Sequence, residues 1–380
     1  MAEGKTDSTV RDPATVIPKA AKTHAAAEFE HNPLQLKSGA IGRIEGWGSV
    51  VFERSDDEGN SWSPKIRVDD TEATGQAAYV YCPGSAITTS SGRIIVPVYR
   101  GIGSRDFVPE KSINVGLQGD LWALSGSHSY EPRPFVSWVY YSDDEGQTWQ
   151  RNANGEMMIT LDDSAGGHWS CSEPTVAEYS PKHLLMLYRT SLGRLFQSWS
   201  SDDGTNWTRP RPTQIAAAQA PAFLKRIPGT NDLLVIWNQA SGDEIERGLQ
   251  RHRLSSAISQ DGGATWKFHK NVVCLDKDDR SYVEPSPVRY YRAKRFSPRF
   301  PANYVMSHNQ RFSFWENRVF LYYYETTKRM WKPEDGREYG LVTMSFPVSW
   351  FYSPRDSDDF NRARAVDSFT EHLPPPAGEW

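Results

Sequence analysis

Four copies of a short pattern, Ser-x-Asp-x-Gly-x-(Thr/Ser/Asn)-Trp, constrain the fold of this 380-residue chain more than any other feature. The Asp side chain accepts hydrogen bonds from turn N–H groups, the Gly permits a positive φ, and the Trp opens the returning strand with a large ring to bury. The pattern therefore predicts four β-hairpin turns in a repeat array. The copies occupy residues 55–62, 142–149, 200–207 and 259–266.

Short β-rich runs and tight turns fill the sequence between these copies, and no long helical period interrupts them. Residues 287–291 and 318–325 form the last of five such units. Four short strands per unit of about 40–60 residues are typical of a β-propeller. Because residues 1–48 can supply strands of a further blade, we predict an all-β, six-bladed propeller of four-stranded antiparallel blades, with seven blades as the alternative.

The predicted organisation has three parts: a poorly patterned N-terminal segment at 1–30, a single propeller domain at 31–355, and a proline-containing tail at 356–380 that we expect to be partly disordered. The longest apolar runs fall far short of the roughly 18 residues that a spanning helix needs. The first residues lack the apolar centre of a signal peptide. We therefore expect no membrane span, and the cytoplasm as the default compartment.

Composition excludes several classes of function. With 43 Lys and Arg residues against 47 Asp and Glu residues, the chain has no basic excess for holding a phosphate backbone, so it is not expected to bind nucleic acid. Cys82, Cys171 and Cys274 are odd in number and far apart, which favours buried thiols over a disulfide framework. Without a His/Cys cluster or a glycine-rich phosphate loop, we expect neither a metal nor a cofactor.

The four copies resemble the Asp boxes of the sialidase superfamily, and the resemblance extends from about residue 45 to residue 350. Four further regions are similar to segments of that family. They are residues 81–87 with 92–97, residues 171–178 with 187–190, residues 250–254, and residues 281–282 with 320–325. The resemblance implies an exo-glycosidase that removes a terminal sialic acid or a related acidic sugar, so the expected partner is an acidic carbohydrate.

The resemblance also implies a group that holds the sugar carboxylate. Arg189 and Arg251 match the family's carboxylate-binding arginines, and Arg253 or Arg247 would be substitutes for Arg251. A guanidinium fork suits this task because it can bind both carboxylate oxygens. Glu325 matches the family's glutamate that orients an arginine of the cluster.

The reaction implied by the resemblance is a retaining hydrolysis with a tyrosine nucleophile, an exception among glycosidases. Tyr282 matches the nucleophile and Glu173 matches its base. A base is required because a free phenol, with a pKa near 10, is a weak nucleophile at neutral pH. Glu45 is the one carboxylate in the 41–48 loop where the family carries an acid/base Asp, and it is the candidate acid.

The N-terminal stretch departs from the family pattern. Val16 stands where the family's first arginine is expected, and Arg43 is a candidate replacement. Together with Glu45 in place of Asp, this leaves three options: a divergent first blade, a different anionic sugar, or a loss of activity.

Two functions of other classes stay open at this stage. One is a polysaccharide lyase on the same fold, in which a tyrosine or a histidine, His168 or His31, abstracts a proton next to a uronate carboxylate. The other is a propeller that binds glycans without turnover. Fold alone does not separate the three.

Overall fold

The computed structural model describes residues 14–24, 33–46, 49–70, 78–80, 85–101, 135–160, 168–169, 171–247, 249–275, 279–291, 305–327, 340–354 and 360–365. Within these ranges the protein consists of short β-strands and two five-residue helices. The last part of the predicted tail, 366–380, lies outside the described residues.

The strands follow one another in chain order. Two precede the first blade: β1 (Ala14–Pro18) and β2 (Lys22–His24). Blade 1 contains β3 (Leu34–Gln35), β4 (Ile41–Gly46), β5 (Val50–Ser55) and β6 (Ile66–Arg67). Blade 2 contains β7 (Ile87–Thr88), β8 (Ile94–Gly101), β9 (Phe135–Ser142) and β10 (Gln150–Arg151). A separate pair follows, β11 (Ile159–Thr160) and β12 (His168–Trp169).

Blade 3 contains β13 (Ser172–Ser180), β14 (His183–Arg189), β15 (Arg194–Ser200) and β16 (Arg211–Ala216). Blade 4 contains β17 (Phe223–Arg226), β18 (Leu233–Asn238), β19 (Leu254–Ser259) and β20 (Lys267–Val273), with helix α1 (Gly242–Glu246) between β18 and β19. Blade 5 contains β21 (Val305–Trp315), β22 (Arg318–Thr327) and β23 (Gly340–Pro347). Helix α2 (Val348–Tyr352) and β24 (Phe360–Ala365) end the described chain.

The prediction of an all-β propeller with four-stranded antiparallel blades is confirmed, but the predicted blade number is wrong. The described residues form five four-stranded sheets. The described part of the first 48 residues does not make a blade of its own, because β2 completes blade 5, β1 pairs with β24, and β3 and β4 belong to blade 1. Residues 287–291, predicted as a strand, form an irregular segment.

The ring of blades is closed by the N-terminal segment. Strand β2 runs antiparallel to β23 as the fourth strand of blade 5, with Lys22 opposite Ser345 and His24 opposite Thr343. The β1–β24 pair joins the two ends of the chain a second time. Strand β23 therefore does not end the sheet as an open edge.

The hydrophobic core lies between neighbouring blades rather than inside one sheet. Its largest fully buried side chains include Trp138 of blade 2 and Trp237 of blade 4. The first strands of adjacent blades are also joined by polar contacts: the Leu224 N–H of β17 donates to Thr175 Oγ1 of β13 at 3.2 Å. Such contacts fix the first strands around a common axis.

All four Asp boxes form the same hydrogen-bond network. In the first box, Ser55 Oγ donates to Asp57 Oδ1 at 2.7 Å, while the N–H groups of Gly59 and Ser61 donate to Ser55 Oγ and Asp57 Oδ1. Hydrogen bonds from Ser61 and Ser55 lower the pKa of Asp57 to about 2. The same bonds recur in the other three boxes.

Each box joins the third and fourth strands of its blade, so the prediction that the boxes form β-hairpin turns is confirmed, and these hairpins are the outer ones. The hairpins between first and second strands turn at the same end of the propeller, which we call the box end. The connections from second to third strands, and from one blade to the next, lie at the opposite end, which we call the connection end.

The box tryptophans differ in burial, which predicts unequal effects on stability. Trp207 is 5% exposed and its Nε1 donates to the Gly204 carbonyl, whereas Trp62 is half-buried beneath the Arg43 guanidinium. We expect Trp207→Ala to lower the free energy of unfolding by about 3–5 kcal/mol. We expect Trp62→Ala to lower it by about 1 kcal/mol, the scale of an exposed cation–π contact. Urea denaturation of both variants checks this, and equal losses would contradict it.

Candidate functional site

All six predicted site residues map to the connection end. This follows from their places in the blades, at the ends of second strands, the start of a first strand, or the connections between strands. Glu45 is in β4, Glu173 in β13, Arg189 at the end of β14, Arg251 before β19, Tyr282 after β20, and Glu325 in β22.

Glu173 and Arg189 form a buried ion pair. Arg189 Nη1 lies 2.6 Å from Glu173 Oε2, and the two residues are 3% and 9% exposed. Ser172, the neighbour of Glu173, pairs in register with Arg189 across the first two strands of blade 3. The sheet itself therefore brings the two charges together, as a buried carboxylate requires.

Glu173 has a strained backbone. Its φ is +44°, in the left-handed region that a residue other than glycine rarely adopts. The strand register shifts between Ser172 and Thr175, so Glu173 sits in a β-bulge. Bulges re-aim side chains, and strained residues of this kind cluster at functional sites.

The first strand of blade 5 carries a matching irregularity. The β21–β22 register shifts between His308 and Arg311, and Asn309 within that shift has a φ of +53°. In blades 3 and 5 the shift follows the same number of residue pairs, counted from the hairpin that joins the first and second strands. Two first strands thus bulge at one depth near the connection end.

Arg251 lies against blade 5. The Ser307 N–H of β21 donates to the Arg251 carbonyl at 2.8 Å, and Ser307 pairs in register with Glu325. Burial, followed by the positive charge of Arg251, lowers the pKa of His308 to about 3. His308 is therefore neutral at physiological pH, and the guanidinium of Arg251 lies close to β21.

Glu325 is fully buried and accepts a hydrogen bond of 3.0 Å from the Tyr323 hydroxyl. The two side chains share one face of β22 because they are two residues apart. Arg251, Ser307 and Glu325 thus form a second polar group at the connection end, held by blades 4 and 5.

Tyr282 is not paired with Glu173. Its hydroxyl donates to Glu284 Oε2 at 3.0 Å, its side chain is 44% exposed, and its ring lies 4.9 Å from that of His269 on the outermost strand of blade 4. Partial burial, and then the hydrogen bond to Glu284, raise the pKa of Tyr282.

The segment that contains Tyr282 nevertheless contacts blade 3. Arg194, the first residue of β15, donates to the carbonyls of Ser286 and Pro285 at 2.8 and 3.3 Å. Its positive charge also acts to lower the pKa of Tyr282. The segment therefore runs toward the blade that carries Glu173 and Arg189.

The candidate acid Glu45 is on the surface, where its carboxylate lies 2.5 Å from Lys65 Nζ. Arg43, the candidate replacement for the missing arginine, donates to Glu53 at 2.8 Å and covers the Trp62 ring. Both residues lie in β4, but neither contacts Glu173 or Arg189 in the described structure.

Arg253, a possible substitute for Arg251, is engaged by two carboxylates. Its Nη2 lies 2.9 Å from Glu244 Oε1 and 2.7 Å from Asp279 Oδ1, and the residue is 1% exposed. The other substitute, Arg247, lies 2.9 Å from Asp243 on the surface. This leaves Arg251 as the arginine of its segment that faces blade 5.

Several sequence candidates lie outside what the structure describes. Cys82 and His31 fall in undescribed ranges, and only the backbone is described for Val16 and His168. Among the described residues, no three His, Cys, Asp or Glu side chains are grouped to hold a metal ion. Neither described helix has the length or apolar character to cross a membrane.

The site therefore places the buried guanidinium of Arg189 beside the Glu173 carboxylate, an arrangement that suits an anionic ligand. An arginine held by a carboxylate on one side can present a rigid donor edge to a ligand carboxylate on another.

Sequence reasoning missed four partners. Glu284 and Tyr323 stand two residues from Tyr282 and Glu325, the spacing that places extended side chains on one side, so this signal was available. Glu244 and Asp279 are far from Arg253 in sequence, and no local pattern indicates that they neutralise it.

Residues 38–289 match the family described as "BNR repeat-like domain". The match covers more than half of the chain, so the protein belongs to this family. The predicted resemblance to the sialidase superfamily, a BNR-repeat β-propeller, is confirmed at this level.

Three solved structures are similar to this chain. A protein of unknown function from Dyadobacter fermentans is 17% identical with a TM-score of 0.48, over 83% of this chain and 76% of its own. An intramolecular trans-sialidase from Ruminococcus gnavus is 16% identical with a TM-score of 0.47, over 81% of this chain and 52% of its own. A Trypanosoma rangeli sialidase is 14% identical with a TM-score of 0.42, over 90% of this chain and 45% of its own. This chain spans about half the length of the latter two.

The Arg253 network predicts how stability depends on pH. Burial alone would raise the pKa of Glu244, but hydrogen bonds from His252 and Arg253 and the charge of Arg253 hold it well below its usual value. A lowered carboxyl pKa stabilises the fold above the unfolded value of about 4.3, and this stability is lost as pH falls.

We therefore expect Glu244→Gln to lower the free energy of unfolding at pH 7 by about 2–3 kcal/mol, because it weakens the charge-assisted hydrogen bonds that Glu244 accepts from Arg253 and Arg280. We also expect its stability to fall less than that of the wild type between pH 5 and pH 3. Denaturant titrations across this range test both, with the exposed Glu58→Gln as control. Parallel pH profiles of Glu244→Gln and wild type would contradict the argument.

Proposed function

We propose that this protein is an exo-glycosidase that removes a terminal sialic acid or a related acidic sugar with retention of configuration. The observation that carries the proposal is the buried Glu173–Arg189 pair on a strained bulge of a first strand. Strain of this kind persists only where surrounding structure imposes it, and it concentrates at binding and catalytic sites. An arginine there suits a substrate with a carboxylate on its anomeric carbon.

Arg189 and Arg251 are the proposed carboxylate clamp. Arg189 is held on blade 3 by Glu173, and Arg251 is held against blade 5 through its own carbonyl. Glu325, paired with Ser307, is the proposed orienting carboxylate on the blade 5 side. Arginines anchored on different blades would grip a ligand at the propeller axis from two directions.

Tyr282 is the proposed nucleophile. Its phenol oxygen attacks the anomeric carbon, the glycosidic bond breaks, and the departing alcohol takes a proton from an acid, for which Glu45 is the candidate. The phenol proton passes to a carboxylate. The family resemblance favours Glu173 as that base, whereas the 3.0 Å hydrogen bond favours Glu284. Water then releases the sugar and restores the phenol.

The first functional prediction concerns the clamp. Arg189→Lys keeps the positive charge but loses the planar fork, so we expect kcat/KM on a fluorogenic sialoside to fall by about 10- to 100-fold. The exposed Arg211→Lys is the matched control and should leave kcat/KM unchanged. Wild-type protein should bind the free acid of the sugar and not its methyl ester. Equal affinity for acid and ester would exclude a carboxylate clamp.

The second functional prediction concerns the nucleophile and its base. Tyr282→Phe keeps the ring and removes the oxygen that forms the covalent bond, so turnover should fall by about 10²–10⁴-fold. Tyr179→Phe, on the half of β13 nearer the box end, is the matched control.

Glu284→Gln identifies the base, because it leaves the Glu173–Arg189 pair intact. A loss that matches that of Tyr282→Phe assigns the role to Glu284, whereas unchanged turnover assigns it to Glu173, for which Glu173→Gln should then match that loss. A double variant of the base and Tyr282 should be little worse than either single variant, because residues that act as a unit are not additive. Full activity of folded Tyr282→Phe, checked by circular dichroism, would exclude this nucleophile.

A glycan-binding propeller without turnover is the second candidate. Two observations favour it: Tyr282 is bound to Glu284 rather than Glu173, and the candidate acid Glu45 is engaged by Lys65 on the surface. This candidate predicts that acidic sugars bind through Arg189 while the wild type hydrolyses none of them. Calorimetric binding and the sialoside assay, on one preparation, separate the two functions.

A further inference from the structure

A cavity of about 1060 Å³ opens at the box end of the propeller, and we call it the box-end cavity. The first strand of every blade contributes to its wall, which places it on the propeller axis. Blades 1 to 5 contribute, in that order, Leu34, Ile87, Ala177, Arg226 and Phe314. Its volume is that of a site for a small organic molecule.

The box-end cavity is separate from the candidate site described above. Glu173 of that site and Glu178 of the cavity wall lie on the same strand, five residues apart. At a rise of roughly 3.3 Å per residue, the two lie about 16 Å apart along the strand. A ligand in this cavity therefore does not contact the proposed carboxylate clamp.

The wall of the cavity is mainly apolar. Aliphatic side chains of blade 1, Leu34 and Leu36, face aromatic side chains of blade 5, Phe314 and Phe320. Trp315 stands in the wall with 67% of its surface exposed, one of two large hydrophobic residues exposed among the described ones. An exposed tryptophan beside an apolar wall provides a surface on which an apolar ligand can lie.

Positively charged residues outnumber negatively charged ones in the described cavity wall. Lys37, Lys225 and Arg226 are cationic, and Glu178 is the one carboxylate among the lining residues. The Glu178 carboxylate already accepts from Ser90 N–H, Ser90 Oγ and the Lys182 N–H at 2.7 to 3.0 Å. It is 5% exposed, so it is held within the wall. The charge left to meet a ligand is therefore positive.

We propose that the box-end cavity binds an amphipathic anion, a molecule with a hydrocarbon body and a single carboxylate head. The body lies against Leu34, Phe314 and Trp315, and the head meets Arg226 and Lys37 at the rim. Arg226 and Lys37 are exposed, and neither forms an ion pair with another described residue. Both side chains can therefore approach the head without breaking such a pair.

Three ten-carbon probes with different heads test the proposal on the full chain. Decanoate and decylammonium, each below its micellar concentration, and decan-1-ol, below its solubility limit, are titrated by calorimetry. We expect decanoate to bind one per chain, at least about tenfold tighter than decylammonium, with decanol between them. Equal binding of decanoate and decylammonium, or no saturable binding of decanoate, would overturn the proposal.

Substitutions at exposed residues should leave the fold intact, so they are suitable test variants. The double variant Lys37→Gln/Arg226→Gln should weaken decanoate binding by about three- to tenfold and leave decanol unchanged. Trp315→Ala should weaken both probes severalfold, because it removes apolar wall area. Arg211→Gln, on the outermost strand of blade 3, is the matched control and should change neither. If neither Lys37→Gln/Arg226→Gln nor Trp315→Ala weakened decanoate binding, the ligand would lie elsewhere and the assignment would be wrong.

Discussion

Closure of the ring is the constraint on which the rest of this structure depends. The last blade has only three strands of its own, β21, β22 and β23, and the three residues of β2 supply the fourth. Without that pairing β23 would be an open edge, and open edges are unstable and prone to pair with other chains. The polar groups on blades 3, 4 and 5 keep their positions around one axis because the ring is held closed.

The two ends of the propeller differ in how their backbone is held. At the box end, Ser and Asp side chains bind the turn backbone in four copies of one network, which leaves few unsatisfied groups and makes the hairpins rigid. At the box end, left-handed residues such as Glu58, Glu145 and Asp203 lie within tight turns, where this conformation is expected. At the connection end, Glu173 and Asn309 take it within two first strands that bulge at one depth, near the proposed carboxylate clamp.

Charge pairing separates structural arginines from candidate ligand-binding ones. Arg253 is surrounded by Glu244 and Asp279, so its charge is neutralised inside the protein. Arg189 faces one buried carboxylate, Glu173, and Arg251 is anchored through its backbone carbonyl. The proposed function uses the second kind, because a guanidinium that is held in place from one side can bind an anionic sugar from a fixed position.

The sequence by itself determined the repeat, the hairpin turns and the all-β class, because these depend on residues within eight positions of each other. The family resemblance drew attention to Glu173 and Arg189 separately, but it did not predict that they pair with each other. The blade number depended on β2, which finds its partner β23 more than 300 residues away, so local patterns overestimated it. The carboxylate partners of Arg253 and the box-end cavity were decided by the tertiary structure. Each arises from where closed blades place distant segments, and no local spacing encodes that.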